Sequence, residues 1–137
     1  MAKDIYHETV KTALMKDGWM ITDDPLRLKV GTRMLYVDLG IEKLFAADKD
    51  GQRIAVEVKS FLGPSLVKDL EQALGQYIMY SQVLSRQYSE CMLYLAIPQN
   101  VFSEFFSEEL SQLMIELNHI KLLVFDPEAK EVIQWIA

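Results

Sequence analysis

Two apolar runs separated by a turn signal constrain this chain more than any other feature. They are Tyr36-Val37-Asp38-Leu39-Gly40-Ile41 and Arg53-Ile54-Ala55-Val56-Glu57-Val58-Lys59, with Asp48-Lys49-Asp50-Gly51 between them. β-Branched runs around a glycine-containing turn predict an antiparallel hairpin. Side chains alternate faces along a strand, so Glu57 and Lys59 point one way while Val56 and Val58 fill the opposite, buried face. The pairing brings Asp38 within side-chain reach of Glu57 and Lys59. Asp48 and Asp50 belong to the turn, where their carboxylates cap backbone groups.

Two carboxylates a few ångströms apart raise each other's pKa unless a cation sits between them. Mg²⁺ or Mn²⁺ resolves the conflict: a hard ion takes one or two carboxylates and completes its shell with water and phosphate oxygens. A lysine on the same face can orient a water and stabilise charge developing on a phosphate. The chemistry implied is phosphodiester hydrolysis. Glu-x-Lys on a strand is also the pattern of an ordinary cross-strand charge pair, so the order of the surrounding elements has to decide.

Tyr6, Val10, Ala13 and Leu14 recur at helical spacing over residues 3 to 17, and Gly18 is a stop signal. Residues 19 to 22 read as a short strand, followed by the hairpin over 34 to 60. Pro64 and Ser65 open a helix to about Arg86, with Leu66, Leu70, Ala73, Leu74, Tyr77 and Ile78 as its apolar stripe. The apolar run of residues 91 to 97 suits a central strand covered on both faces, reached by a parallel crossover. A helix over 103 to 117, a strand over 120 to 125, a turn and a last strand over 132 to 136 complete the chain. The expected fold is α/β (α+β), a mixed sheet flanked by helices in the order α-β-β-β-α-β-α-β-β. At 137 residues, half of them hydrophobic, one domain over 1 to 137 can bury a full core.

A helix, a strand with Asp38, a strand with Glu57-x-Lys59 and a helix with Gln72 and Gln76 together resemble the PD-(D/E)xK nuclease superfamily. Asp38, Glu57 and Lys59 match its core residues one by one, with Val37 in place of the proline. At closer range Asp4-Ile5-Tyr6-His7, Leu14 through Trp19, Ile21 through Leu26, Gly75-Gln76-Tyr77 and Tyr94 through Pro98 resemble the XisH family, cyanobacterial proteins named for control of the excision of a DNA element. The resemblance covers nearly the whole chain. It implies a restriction-endonuclease-like fold, a metal at Asp38, Glu57 and Val58, and a companion protein of the XisI family. It also implies polar contributions from the flanking helices. His7, at the edge of the first helix's apolar stripe, falls near the position where such nucleases place a metal-holding acid; Glu8 projects nearly opposite. Gln76 lies in the helix expected to overhang the site, where an amide can contact a water or a phosphate, and Gln72 is expected to face solvent.

Charge argues against tight binding of DNA by this chain alone. Fourteen basic and 20 acidic residues give a net charge of −6, whereas free-standing nucleic-acid binders are usually basic. Residues 1 to 68 hold 11 Lys and Arg against 10 Asp and Glu, and residues 69 to 137 hold 3 against 10. Arg27, Lys29 and Arg33 precede Asp38 closely and form a candidate rim for phosphates; an equally good reading makes them solvated residues. A basic partner can supply the missing affinity.

Trp19, Tyr36, Tyr80, Tyr88 and Trp135 are spread thinly and suit the core or its margins better than a base-stacking surface. Phe102, Phe105, Phe106, Leu110, Leu113 and Leu117 give the penultimate helix more apolar surface than one sheet contact covers, leaving some for a homo-oligomer interface. Cys91 opens an apolar run and reads as a buried, inert thiol. The polar start and the lack of any run of about 18 apolar residues predict a cytoplasmic protein without a membrane contact. Three functions remain open: a metal-dependent endonuclease acting in DNA excision, a catalytically idle accessory protein that binds DNA or an XisI-type partner, and a purely structural protein.

Overall fold

The apolar stripe of the first helix and the β-branched runs that follow meet across a six-stranded sheet with helices on both faces. The computed structural model describes residues 3–43 and 51–137, so Asp48, Asp50 and their expected capping role lie outside the described residues. The elements are α1 (His7–Lys16), β1 (Met20–Asp23), β2 (Leu26–Val30), β3 (Arg33–Val37), β4 (Leu39–Lys43), β5 (Gln52–Val58), α2 (Leu66–Gln87), β6 (Met92–Pro98), α3 (Gln99–Glu104), α4 (Glu109–Asn118), β7 (Leu122–Asp126) and β8 (Glu131–Ile136). The large sheet runs β1-β4-β5-β6-β7-β8, and β2 and β3 form a separate two-stranded sheet. Strands β5, β6 and β7 are parallel and the outer pairings antiparallel. The expected mixed sheet and parallel crossover are both present.

Each face of the sheet carries its own core. Ala55, Leu93, Leu95, Ile97, Leu122 and Val124 pack under α2 residues Leu70, Ala73, Tyr77 and Leu84 and under Leu26, Leu28 and Val37 of the small sheet. Leu39, Ile41, Ile54, Val56, Val58, Tyr94, Ala96, Leu123 and Phe125 pack under Val10 and Leu14 of α1. The period-two alternation of β5 and β6 thus sorts their side chains into two buried layers, as a strand covered on both faces requires. Tyr77 ties the layers across β6 and β7: its hydroxyl donates to the Leu93 carbonyl at 3.1 Å and accepts from the Lys121 N–H at 3.0 Å.

Helix ends follow local chemistry. Gly18 at φ +90° turns the chain after α1, a conformation open to glycine at little cost. The Ser65 hydroxyl caps α2 by accepting from the Lys68 N–H at 3.2 Å, an ordinary N-cap. Three details depart from the sequence reading. The stretch expected as one strand through Asp38 is two strands in different sheets, broken at Asp38 itself. Val37 joins the core under α2 and Leu39 the core under α1, so the chain changes sheets between them. Residues Leu26–Val30 form an additional strand that pairs with β3. The penultimate helix is two, α3 and α4; Phe105 and Phe106 at their junction are buried, while Leu110, Leu113 and Leu117 of α4 are exposed. No helix among the described residues is long and apolar enough to cross a membrane.

Candidate functional site

Asp38 and Glu57 meet at the point where the chain leaves the small sheet and enters the large one. Leu39 pairs with Val56, which places Asp38 beside the end of β5. There its N–H donates to Glu57 Oε1 at 3.1 Å, and its Oδ2 accepts from the Val58 N–H at 2.7 Å. Hydrogen bonds to the two side chains take the place of the ladder bonds that the break interrupts. Glu57 is buried, and Asp38 keeps 19% of its side chain exposed. Desolvation, followed by the neighbouring Asp38 charge, pushes the Glu57 carboxyl up to about 8. Desolvation also raises Asp38, against the opposing hydrogen bond from Val58. Two neighbouring carboxyl groups that each resist ionisation are a pair that a cation between them would stabilise.

α1 brings a histidine to this pair. Asp4, just before the helix, accepts from the Tyr6 N–H at 2.9 Å with one oxygen and from the Ser60 N–H at 2.9 Å with the other. That clamp fixes the helix start against the residue after Lys59. His7 is buried, its Nε2 is 2.7 Å from Asp24 Oδ1, and its Nδ1 is 4.0 Å from Asp38 Oδ1. Lys11 Nζ donates to the other Asp24 oxygen at 2.7 Å. Desolvation pushes the Asp24 carboxyl up, but the bonds from Lys11 and His7 outweigh it and hold the group below its ordinary value. His7 Nδ1 is buried with no hydrogen-bond partner.

α2 covers the opposite side with neutral groups. Gln72, Gln76 and Tyr80 stand four residues apart and share one helical row. Lys59 Nζ donates to Gln72 Oε1 at 2.7 Å. The Tyr80 hydroxyl is pushed up to about 12 by burial and then by the charges of Glu57 and Asp38. Between them Gln76 Oε1 is buried without a partner. Gln72 was expected to face solvent; although exposed, it is the residue that holds the lysine.

Asp38, Glu57, Lys59 and His7 are therefore brought together, with Gln76 on the row that faces them. Val58 turns its side chain into the core under α1 and gives its N–H to Asp38, so its main-chain carbonyl is the one ligand atom it has left. Glu8 is exposed and 3.7 Å from Lys11. His7, Glu8 and Asp24 have ligand atoms within 4.8 Å of one another, but a cation among them would have to displace Lys11 from Asp24. Arg27 and Lys29 are exposed on one face of β2, whereas Arg33, paired with Val30, falls on the other face near the hairpin tip. The three do not form one rim. Arg27 lies across from Tyr36, two residues from Asp38, and is the nearest of them along the hairpin. Trp19 is buried 5.5 Å from Trp135, and Tyr94 meets Trp135 edge to face at 5.0 Å, so the tryptophans are packing residues. Cys91 is half-buried, with burial pushing its thiol up.

The sequence reading missed Asp4, Asp24, Lys11 and Tyr80. Asp24 and Asp4 stand within quoted motif stretches, but their function depends on contacts 17 and 56 residues away. Tyr80 carried a usable signal, because it continues the Gln72 and Gln76 row by one turn.

In kind the donors suit a divalent cation, two carboxyl groups that repel each other and a buried imidazole nitrogen without a partner, while the three residues whose ligand atoms lie within 4.8 Å of one another among the described residues are His7, Glu8 and Asp24. The same arrangement accompanies a chain-wide likeness to known proteins. An XisH family protein from Nostoc punctiforme PCC 73102 is 41% identical, with a TM-score of 0.89 over 98% of this chain and 100% of that one. A fdxN element excision controlling factor protein from Anabaena variabilis is 42% identical, with a TM-score of 0.88 over the same shares. No curated protein matches significantly. The model of the XisH protein family matches residues 1–133, and the chain belongs to the XisH family.

Proposed function

We propose that this protein is a DNA-element excision controlling factor with a metal-dependent endonuclease site that hydrolyses DNA phosphodiesters. The observation that carries the reading is the meeting of Asp38 with the buried Glu57 at the end of β5, with both carboxyl groups pushed upward. The excision role is suggested by the 42%-identical element excision controlling factor, and the catalytic role by the likeness of Asp38, Glu57 and Lys59 to the PD-(D/E)xK site. Asp38, Glu57 and the Val58 carbonyl would hold Mg²⁺ or Mn²⁺. When bound, such an ion supplies a Lewis acid for a phosphoryl oxygen and acidifies a water. Lys59, steered by Gln72, carries a positive charge beside Glu57 that can meet a developing phosphate charge. The buried Gln76 amide and the Tyr80 hydroxyl supply neutral hydrogen-bonding groups that add no charge to repel DNA.

A second reading is favoured by charge. With 3 basic against 10 acidic residues after position 68, this chain attracts DNA weakly by itself, and its role would then be that of an accessory protein acting through an XisI-type partner. Cleavage of linear, nicked and branched DNA in Mg²⁺ or Mn²⁺, with and without that partner, separates the two. The endonuclease reading expects cleavage by the wild type that Lys59→Ala abolishes while partner binding persists. No cleavage under any condition, with partner binding intact, assigns the chain to the accessory class.

A further inference from the structure

His7 stands out because one ring nitrogen is held firmly and the other is buried without a partner. Nε2 lies 2.7 Å from Asp24 Oδ1. A carboxylate only accepts, so this contact places a hydrogen on Nε2, and in the neutral ring, the form that binds a metal, the lone pair is then on Nδ1. Asp24 is itself fixed by Lys11, whose Nζ donates to its second oxygen at 2.7 Å. Nδ1 faces Asp38 Oδ1 at 4.0 Å, too far for a hydrogen bond. Two metal–ligand bonds of about 2.1 Å laid end to end span about 4.2 Å, so one ion can touch both atoms. A buried acceptor with no donor costs stability, and a ligand role accounts for that cost. Metal-binding histidines commonly donate their other N–H to a carboxylate in this way.

We propose that His7 Nδ1 is a metal ligand, that Asp24 is the positioning residue that holds it in the ligating tautomer, and that the resulting nitrogen donor makes the site prefer a transition ion such as Mn²⁺ over Mg²⁺. The inference rests on the cation-site reading above and deepens it by naming the class of ion. Mg²⁺ favours all-oxygen shells and keeps its waters, whereas imidazole suits first-row transition ions. The α1 side of the site thereby sets metal choice, while Asp38 and Glu57 supply the charge.

The test uses Mn²⁺ itself as probe and needs no turnover. Electron spin echo spectra of Mn²⁺ bound to the full chain, grown with ¹⁵N-histidine, report directly whether an imidazole nitrogen is coordinated. The chain has two histidines, so His119→Gln serves as the control and His7→Gln as the assignment. The wild type and His119→Gln are expected to show the histidine nitrogen coupling and His7→Gln to lose it while still binding the ion. Competition should show Mn²⁺ bound at least about tenfold more tightly than Mg²⁺, with Asp24→Asn lowering Mn²⁺ affinity by about 10–100-fold and Mg²⁺ affinity much less. Mn²⁺ bound by the wild type without nitrogen coupling overturns this inference and leaves the carboxylate site standing. Failure of the wild type to bind Mn²⁺ or Mg²⁺ overturns both.

Discussion

α1 and α2 flank the same pair of carboxyl groups but bring opposite kinds of chemistry. The α1 side is ionic and mostly locked: Asp24 joins His7 and Lys11 at 2.7 Å each, and Asp4 clamps the backbone of Ser60. The α2 side is neutral, with Gln72 accepting from the Lys59 ammonium at 2.7 Å and the Oε1 of Gln76 buried without a partner. Rigid charged groups suit the holding of an ion; neutral amides and a phenol suit contact with a substrate that must come and go. The sheet makes the division possible, because Glu57 and Val58 point to opposite faces at the end of one strand.

The largest effect that would break this comparison is catalytic. Lys59→Ala and Asp38→Asn should each reduce metal-dependent DNA cleavage by about 100-fold or more, measured as initial rates at saturating metal. If Lys59→Ala cleaved like the wild type, the lysine held by Gln72 would have no part in the chemistry. Next comes folding stability on the α1 side. Asp24→Ala leaves both His7 Nε2 and Lys11 without their acceptor and should cost about 1–3 kcal/mol in urea unfolding. A cost as small as that of an exposed substitution would mean the network is not locked.

The carboxyl pair predicts a pH signature in the metal-free protein. Glu57 rises from its ordinary 4.5 to about 8 in the fold, so between those values the folded state binds more protons than the unfolded one. Stability should therefore be greatest at the acid end of that window and fall as pH rises through it. Asp38 is shifted in the same direction. Urea unfolding from pH 5 to 8 should show the decline, and Glu57→Gln should flatten it; an unchanged slope in that variant would place the proton elsewhere. The smallest effect belongs to α2. Gln72→Ala should change stability by no more than about 0.5 kcal/mol yet slow cleavage several-fold, because it frees the Lys59 ammonium without removing it. Equal, large stability losses on the two helices would erase the contrast between them.

Much of this was legible in the residues because it follows from short-range periodicity. The alternation of Ile54 to Val58, the stripe of α2 and the covered run before Pro98 each report burial directly. Asp38, Glu57 and Lys59 were legible because strand geometry carries them to one place. The break at Asp38 was not, since Tyr36 through Ile41 alternate as a single strand would and the change of sheet depends on which core each side chain enters. Gln72 faces solvent as expected, but its bond to Lys59 was not legible, because an exposed position on a helix says nothing about a long lysine side chain arriving from the end of β5. Asp24 was hidden by distance along the chain, its partners lying one element earlier. The rim of Arg27, Lys29 and Arg33 failed on strand parity once Leu26–Val30 proved to be paired with β3.

The central claim is that Asp38 and Glu57 form a divalent-cation site, and a crystal soaked in Mn²⁺ tests it most directly through the ion's anomalous scattering. The account predicts one strong peak in contact with Asp38 and Glu57 carboxyl oxygens and the Val58 carbonyl. Absence of any peak there, or a peak confined to His7, Glu8 and Asp24 with Lys11 displaced, would contradict it.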